Sequence, residues 1–162
     1  MEFQYASRMR GEHSEPRATG PEVIEPAALQ LFGFRKIPDP RGNLTPVEGA
    51  HEVPFAIRRV YWIYDVPGGA SRGGHAYRTL EEVFVALSGS FDLVVDDGRG
   101  STMRQSLNRS YYGVYLPAMV WRRLENFSTN AVCLILASQP YDEDDYLRDY
   151  AAFCEMRARG KR

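Results

Sequence analysis

One stretch, from Gly69 to Gly89, constrains the fold more than any other part of the chain. After Gly69, the residues His75, Tyr77, Glu82 and Gly89 follow at spacings of six, two, five and seven positions. The continuous apolar run between Glu82 and Gly89 predicts a strand buried on both faces, which the glycine ends. Alternate residues of a strand point to the same side, so His75 and Tyr77 are predicted to face the interior together.

The central part of the chain indicates an all-β fold. Short apolar or alternating segments are separated by turn clusters rich in Gly, Pro and Asp, and no helical pattern lies between them. This arrangement is typical of a β-sandwich or barrel. The predicted strands cover residues 29–37, 57–66, 83–87, 91–95, 103–107, 111–116, 120–124 and 131–138.

The two ends of the chain differ from this central region. Residues 1–21 are polar and lack periodicity, so we expect a disordered leader, followed by a barrel over residues 22–140. Residues 141–162 begin acidic and end basic, which matches a helix dipole, and a C-terminal helix is predicted to pack one face on the barrel. The aromatic residues at helical spacing in this segment are Tyr146, Tyr150 and Phe153.

Composition excludes several classes of protein. The chain has 20 Lys and Arg residues against 21 Asp and Glu residues, so we expect no non-specific binding to nucleic acid. No apolar run reaches the ~20 residues of a membrane span, and no signal-peptide core is present at the start. Cys133 and Cys154 belong to no CxxC pair and are predicted to be thiols. A soluble cytoplasmic protein is expected.

The spacing of His75, Tyr77 and Glu82 resembles the first cupin motif, and residues 117–126 resemble the second. Metal-binding cupins carry histidine ligands where this chain has Tyr77 and Arg122. A guanidinium is permanently cationic and only donates hydrogen bonds, so it would repel a metal ion. The resemblance therefore implies an all-β, cupin-like jelly-roll barrel with a C-terminal helix and a pocket that holds no metal.

His75 and Tyr77 are the candidate catalytic residues. An imidazole with an ordinary pKa near ~6.5 can move a proton at neutral pH, whereas a phenol is a donor unless cations stabilise its phenolate. Arg122 or Arg72 could do this, or could stabilise an enolate oxygen instead. The set suits proton transfer next to a carbonyl group. Other candidates or neighbours are Glu82, which could simply pair with an arginine, Arg78, Tyr61, Tyr64, the outward-facing Ala76, and Arg123, which should point away from Arg122.

Six sequence blocks together resemble one family. They look like the sugar 3,4-ketoisomerases that act on dTDP-4-keto-6-deoxyglucose, also called WxcM-like carbohydrate isomerases. The blocks occur in the family's order, and the resemblance runs from about Phe34 to Phe153. The matching blocks are residues 41–44, 54–66, 72–78, 94–98, 116–121 and 137–146.

The resemblance implies a cofactor-free and metal-independent isomerase of a dTDP-linked keto-deoxysugar, which shuttles protons between carbons 3 and 4 through an enediol. It also implies a homodimer that exchanges N-terminal strands. The first histidine of the family's His-x-His pair corresponds to His75, and the second corresponds to Tyr77. Arg72 is expected to contact the phosphates with help from Arg59, and Tyr64, Arg78, Arg122 and Glu82 complete the expected substrate-binding set.

Tyr77 leaves three possibilities open. It could take over proton transfer at oxygen while His75 acts at carbon, or the protein could be an epimerase or tautomerase of a related nucleotide sugar. Alternatively, the site could bind a nucleotide sugar without turnover, as a sensor or accessory protein. A metal-dependent cupin dioxygenase is the least favoured reading.

Overall fold

The computed structural model describes residues 29–159, and residues 1–28, including the predicted leader 1–21, lie outside this range. Ten strands and one α-helix form the described part. The helix α1 spans Tyr150–Arg159. The strands are β1 (Gln30–Gly33), β2 (Arg59–Ile63), β3 (Arg72–Tyr77), β4 (Glu82–Ser88), β5 (Phe91–Asp96), β6 (Thr102–Leu107), β7 (Tyr112–Leu116), β8 (Trp121–Glu125), β9 (Val132–Ala137) and β10 (Tyr146–Leu147).

The strands form two facing five-stranded sheets. Their orders are β1-β7-β4-β9-β2 and β10-β3-β8-β5-β6, and all pairings between named strands are antiparallel. Because the chain crosses repeatedly from one sheet to the other, the architecture is a jelly roll. The prediction of an all-β, cupin-like barrel with a C-terminal helix is confirmed.

Two hydrophobic layers hold the barrel together. Between the sheets, Phe84, Phe91, Leu93 and Ile135 belong to the main core. A second cluster covers the outer face of the first sheet, where Val83 and its neighbours pack under the segment before β2. The apolar run of β4 thus faces apolar side chains on both sides, as its composition predicts.

The prediction of a continuous helix over residues 141–162 is wrong at its start. Residues 143–145 form one 3₁₀ turn, β10 follows, and α1 begins only at Tyr150. The Asp145 carboxylate explains the difference, because it accepts hydrogen bonds from the backbone N–H groups of Thr79 (2.9 Å) and Leu80 (3.0 Å). These bonds hold the segment extended against β3, where Tyr146 pairs with Tyr77.

The short helix does pack one face on the barrel, as predicted. Asp149 caps its first turn by accepting from the Ala152 N–H (3.0 Å). Phe153 is fully buried in a cluster with Ala76 and Leu147. Ala76 therefore points out of the barrel, as expected, but the C-terminal segment covers it completely.

Several other sequence predictions concern single features. Both cysteines are free, and Cys133 is buried in the barrel. Between residues 29 and 159, no helix is long and apolar enough to cross a membrane. The domain boundaries at residues 22 and 141 stay predictions.

Candidate active site

A bulge in β3 positions the first candidate residue. Gly73 and Gly74 both have positive φ (89° and 75°), and the pairing with β8 shifts register between Gly73 and His75. A Cβ at Gly73 would lie 3.3 Å from the Arg122 carbonyl oxygen, so a side chain here would crowd the neighbouring strand, and the positive φ favours glycine as well. The bulge re-aims the side chains that follow it.

Three aromatic rings meet beyond the bulge. The His75 ring centroid lies 5.0 Å from that of Tyr77 and 4.8 Å from that of Tyr146, and the two tyrosine rings are 4.5 Å apart. His75 and Tyr77 face the same side of β3, as alternation predicts. Tyr146 comes from β10 and was missed by the sequence analysis, which placed it in a helix; it does end the last of the matching sequence blocks.

A buried ion pair bridges the two sheets beside these rings. Arg122 on β8 and Glu82 on β4 are 3% and 1% exposed, and Arg122 Nη2 lies 2.9 Å from Glu82 Oε2 in an ion pair without hydrogen-bond alignment. Arg122 Nη1 also donates to the His75 carbonyl oxygen (3.0 Å), and the Tyr61 hydroxyl donates to the Glu82 carboxylate. Pairing of Glu82 with an arginine inside the barrel is thus confirmed, as are the opposite orientations of Arg122, which is buried, and Arg123, which is exposed.

Tyr77 interacts with two guanidinium groups. The Arg122 guanidinium carbon is 4.6 Å from the Tyr77 ring centroid, and Arg59 interacts with Tyr77 from β2. Burial, and next the charge of Glu82, raise the pKa of Tyr77 to about 12, while the charge of Arg122 acts in the opposite direction. At neutral pH Tyr77 is therefore a phenol and a proton donor rather than the phenolate base that cations alone would favour.

His75 is a neutral imidazole in this setting. Burial lowers its pKa to about 3, and the positive charges of Arg122 and Arg148 act in the same direction. Its Nε2 atom is buried and has no hydrogen-bond partner among the described residues. A buried nitrogen without a partner is costly, so the hydrogen-bonding capacity of this atom is unused in the described structure.

Arg59 offers a second unused donor. Its guanidinium lies 4.8 Å from the Tyr61 ring centroid and 5.6 Å from that of Tyr141, and its Nε is buried with no partner in the described structure. A guanidinium in this position can donate hydrogen bonds to an anionic oxygen of a ligand.

Three predicted site residues lie outside this cluster. Tyr64 and Arg72 line a shallow hollow together with Trp62 at the ends of β2 and β3. Arg78 lies beyond β3 and is exposed, where its Nε donates to the Asp144 carbonyl oxygen (3.2 Å). The structure thus brings together His75, Tyr77, Arg59, Arg122 and Glu82 from the predicted set.

The donor groups in residues 29–159 do not form an obvious metal site. Nowhere in this range do three or more His, Cys, Asp or Glu side chains come together as ligands of one ion. The Glu82 carboxylate pairs with Arg122.

Comparison with known proteins places this geometry in one family. The family model FdtA, described as WxcM-like, C-terminal, matches residues 27–158. A curated relative from Aneurinibacillus thermoaerophilus, a TDP-4-oxo-6-deoxy-alpha-D-glucose-3,4-oxoisomerase, is 40% identical over 124 residues, which cover 76% of this chain and 88% of the relative.

Solved structures agree with that match. The Helicobacter canadensis 3,4-ketoisomerase is 38% identical, with a TM-score of 0.78 over 81% of this chain and 98% of its own. A variant of the 3,4-ketoisomerase QdtA from Thermoanaerobacterium thermosaccharolyticum, solved with TDP-4-keto-6-deoxyglucose, is 34% identical, with a TM-score of 0.79 over 81% of this chain and 94% of its own. The chain therefore belongs to the FdtA family of WxcM-like, C-terminal domains.

Proposed function

We propose that this protein is a sugar-nucleotide 3,4-ketoisomerase that moves the keto group of a TDP-linked 4-keto-6-deoxyhexose from carbon 4 to carbon 3. The observation that carries the proposal is the His75 imidazole, which is neutral and presents an unpartnered Nε2 beside the Tyr77 phenol. The 3,4-oxoisomerase relative supports the substrate class. The product would enter deoxysugar biosynthesis, which we assign to the cytoplasm.

The two groups divide the proton transfers between carbon and oxygen. His75 Nε2 takes the proton from carbon 3 while the Tyr77 hydroxyl protonates the carbon 4 oxygen, which gives an enediol. The His75 imidazolium then protonates carbon 4, and the Tyr77 phenolate takes the proton of the carbon 3 hydroxyl group. The net change is a hydrogen on carbon 4 and a carbonyl group at carbon 3, with both residues restored.

The placement of the two groups favours isomerisation over epimerisation. His75 and Tyr77 come from one strand, point to the same side, and have ring centroids 5.0 Å apart. Inverting one carbon requires an acid and a base on opposite faces of the sugar ring. Moving hydrogen between adjacent carbons requires one base within reach of both, which this arrangement provides.

The phosphates are assigned to arginines on β2 and β3. Arg59 has an unpartnered buried Nε next to the aromatic cluster, and a guanidinium binds phosphate oxygens with charge-assisted hydrogen bonds. Arg72, with Tyr64, lines the shallow hollow at the ends of β2 and β3 and is assigned to the nucleotide part of the substrate. Arg122 and Glu82 pair beside the aromatic cluster, whereas the bonds of Arg78 to the C-terminal segment favour a structural role.

Turnover in deuterated water tests the proposal. The protein is incubated with TDP-4-keto-6-deoxyglucose, and NMR follows the sugar. We expect a 3-keto product and deuterium at the carbons that exchange protons. His75→Asn should abolish both signals. Absence of product and of deuterium with the unaltered protein would refute the assignment for this substrate.

The second candidate function is binding of the nucleotide sugar without turnover. The presence of Tyr77, a phenol with its pKa raised to about 12, in place of a second imidazole favours it. In that case the protein would bind TDP in calorimetry yet show no exchange, and Tyr77→His would create activity in an inactive parent. Loss of existing turnover in Tyr77→Phe would instead assign the phenol a chemical role.

We also propose that the protein is a homodimer in which N-terminal strands are exchanged. Val60 and Trp62, on the edge strand β2, expose apolar side chains, and Trp62 is 57% exposed. Such a patch is typical of an interaction surface. Sedimentation should give twice the monomer mass, and Trp62→Glu should lower it. A monomer at micromolar concentration would refute the proposal.

A further inference from the structure

Glu82 lies where it can control the charge next to the proton donor. Its carboxylate pairs with Arg122, and the same Arg122 guanidinium lies 4.6 Å from the Tyr77 ring centroid. Both members of the pair are almost completely buried, so bulk water does little to screen their charges. The ease with which Tyr77 ionises should therefore depend in part on whether the charge of Arg122 is offset.

The groups around Tyr77 affect its ionisation in opposite directions. Two guanidinium groups favour a phenolate, whereas one carboxylate and the burial of the ring favour the phenol. Without the carboxylate, the charges acting on the ring would be predominantly positive. The titratable and charged groups that face Tyr77 are His75 on β3, Tyr146 on β10, Arg122 on β8, Glu82 on β4, and Arg59 and Tyr61 on β2.

We propose that Glu82 is a positioning residue that offsets the charge of Arg122 under the Tyr77 ring and so makes Tyr77 harder to ionise. Glu82 itself touches no reacting atom in this scheme. The inference rests on the proposed function only in giving the Tyr77 proton a chemical use, namely delivery to a sugar oxygen. A phenolate at Tyr77 would have no proton to deliver.

The neighbouring Glu81 offers a matched control. Its carboxylate also accepts a hydrogen bond from a tyrosine, Tyr115. Glu81 points to the other side of the strand from Glu82, and between residues 29 and 159 it makes no ion pair or hydrogen bond with Arg122. Loss of charge at Glu81 therefore tests for any general effect of removing one carboxylate.

The experiment follows the ionisation of Tyr77 directly, without substrate. Tyrosinate absorbance is titrated with pH in the unaltered protein, in Glu82→Gln, and in each of these with Tyr77→Phe added, so that the difference isolates Tyr77. In Glu82→Gln the isolated titration should move down by about 1–3 pH units, the effect of an opposite charge at this distance. Glu82→Asp, which keeps the charge, should restore the higher value, and Glu81→Gln should leave it unchanged.

A change of opposite sign protects the test if Glu82→Gln does not fold. Arg122→Gln removes the cation and leaves the carboxylate, so Tyr77 should ionise no earlier than in the unaltered protein. An unchanged Tyr77 titration in Glu82→Gln, an equal shift in Glu81→Gln, or earlier ionisation in Arg122→Gln would each overturn the proposal. The titration needs no substrate, so its outcome does not depend on whether the protein is an active isomerase. Failure of this proposal can therefore be told apart from failure of the proposed function.

Discussion

The docking of α1 on the barrel gives the sharpest stability prediction. Phe153 is 0% exposed, and its ring packs against Trp121, with centroids 5.6 Å apart, in the cluster that covers Ala76 and Leu147. An aromatic side chain buries about 150–250 Å². At about 25 cal/mol per Å² this amounts to about 4–6 kcal/mol, part of which alanine would retain.

Phe153→Ala should therefore lower the free energy of unfolding by about 3–5 kcal/mol, the usual cost at fully buried aromatic positions. The site cannot collapse easily, because its walls are strands β3 and β8 rather than loops. For a domain of this size, each kcal/mol lowers the melting temperature by about 2–4 °C, so we expect a fall of about 6–20 °C.

Thermal unfolding monitored by circular dichroism, together with a urea titration, measures the change. Leu44→Ala is the control, because this leucine is 57% exposed and its truncation should cost no more than about 0.5 kcal/mol. Hydrogen exchange should also show the loss of protection first at Leu147, next to the site. A change below about 1 kcal/mol in Phe153→Ala would refute the packing argument.

Three further predictions concern the site and one glycine. If the protein turns over substrate, Tyr77→Phe should lower kcat by about 10²–10⁴, the usual contribution of a general acid, with little change in the Kd for TDP measured by calorimetry; an unchanged kcat would remove the phenol from the mechanism. Because the pKa of His75 is lowered to about 3, the acid limb of kcat/KM should lie well below pH 6.5, and a limb at or above pH 6.5 would contradict this. For the same reason, the contribution of His75 to the free energy of unfolding should be present above pH 6.5 and be lost as the pH falls towards 3. Gly98→Ala should destabilise the protein by about 1–3 kcal/mol in a urea titration, because φ is 71° and the new Cβ would lie 2.7 Å from the Phe153 ring, and a neutral result would contradict the close packing.

The features that the sequence predicts well are those that depend on local spacing. The apolar run of β4 and the turn clusters between strands locate most of the barrel, because strand periodicity and turn chemistry act over a few residues. The same holds for the opposite orientations of Arg122 and Arg123, which follow from the alternation of a strand. The motif spacing further identifies the fold, since it fixes which residues enter the barrel.

The interactions that could not be predicted join distant parts of the chain. From the sequence alone, Glu82 could pair with an arginine. Only the structure, in which β4 and β8 lie opposite each other in the two sheets, shows that its partner is Arg122. The consequence for Tyr77 follows from that pair. Arginines alone suggest a phenolate, whereas arginine neutralised by Glu82 in a buried site leaves a phenol.

The incorrect helix boundary and the missed Tyr146 have one cause. The acidic start and aromatic spacing of the C-terminal segment favour a helix locally, but three hydrogen bonds from Thr79 and Leu80 to the Asp145 carboxylate hold it as a strand. An extended backbone places Tyr146 opposite Tyr77 and in contact with His75, which a helix would not do. The C-terminal segment therefore both covers the barrel and contributes Tyr146 to the site. Because Phe153 docks the helix that follows β10, damage to this docking should reach the reacting groups through β10.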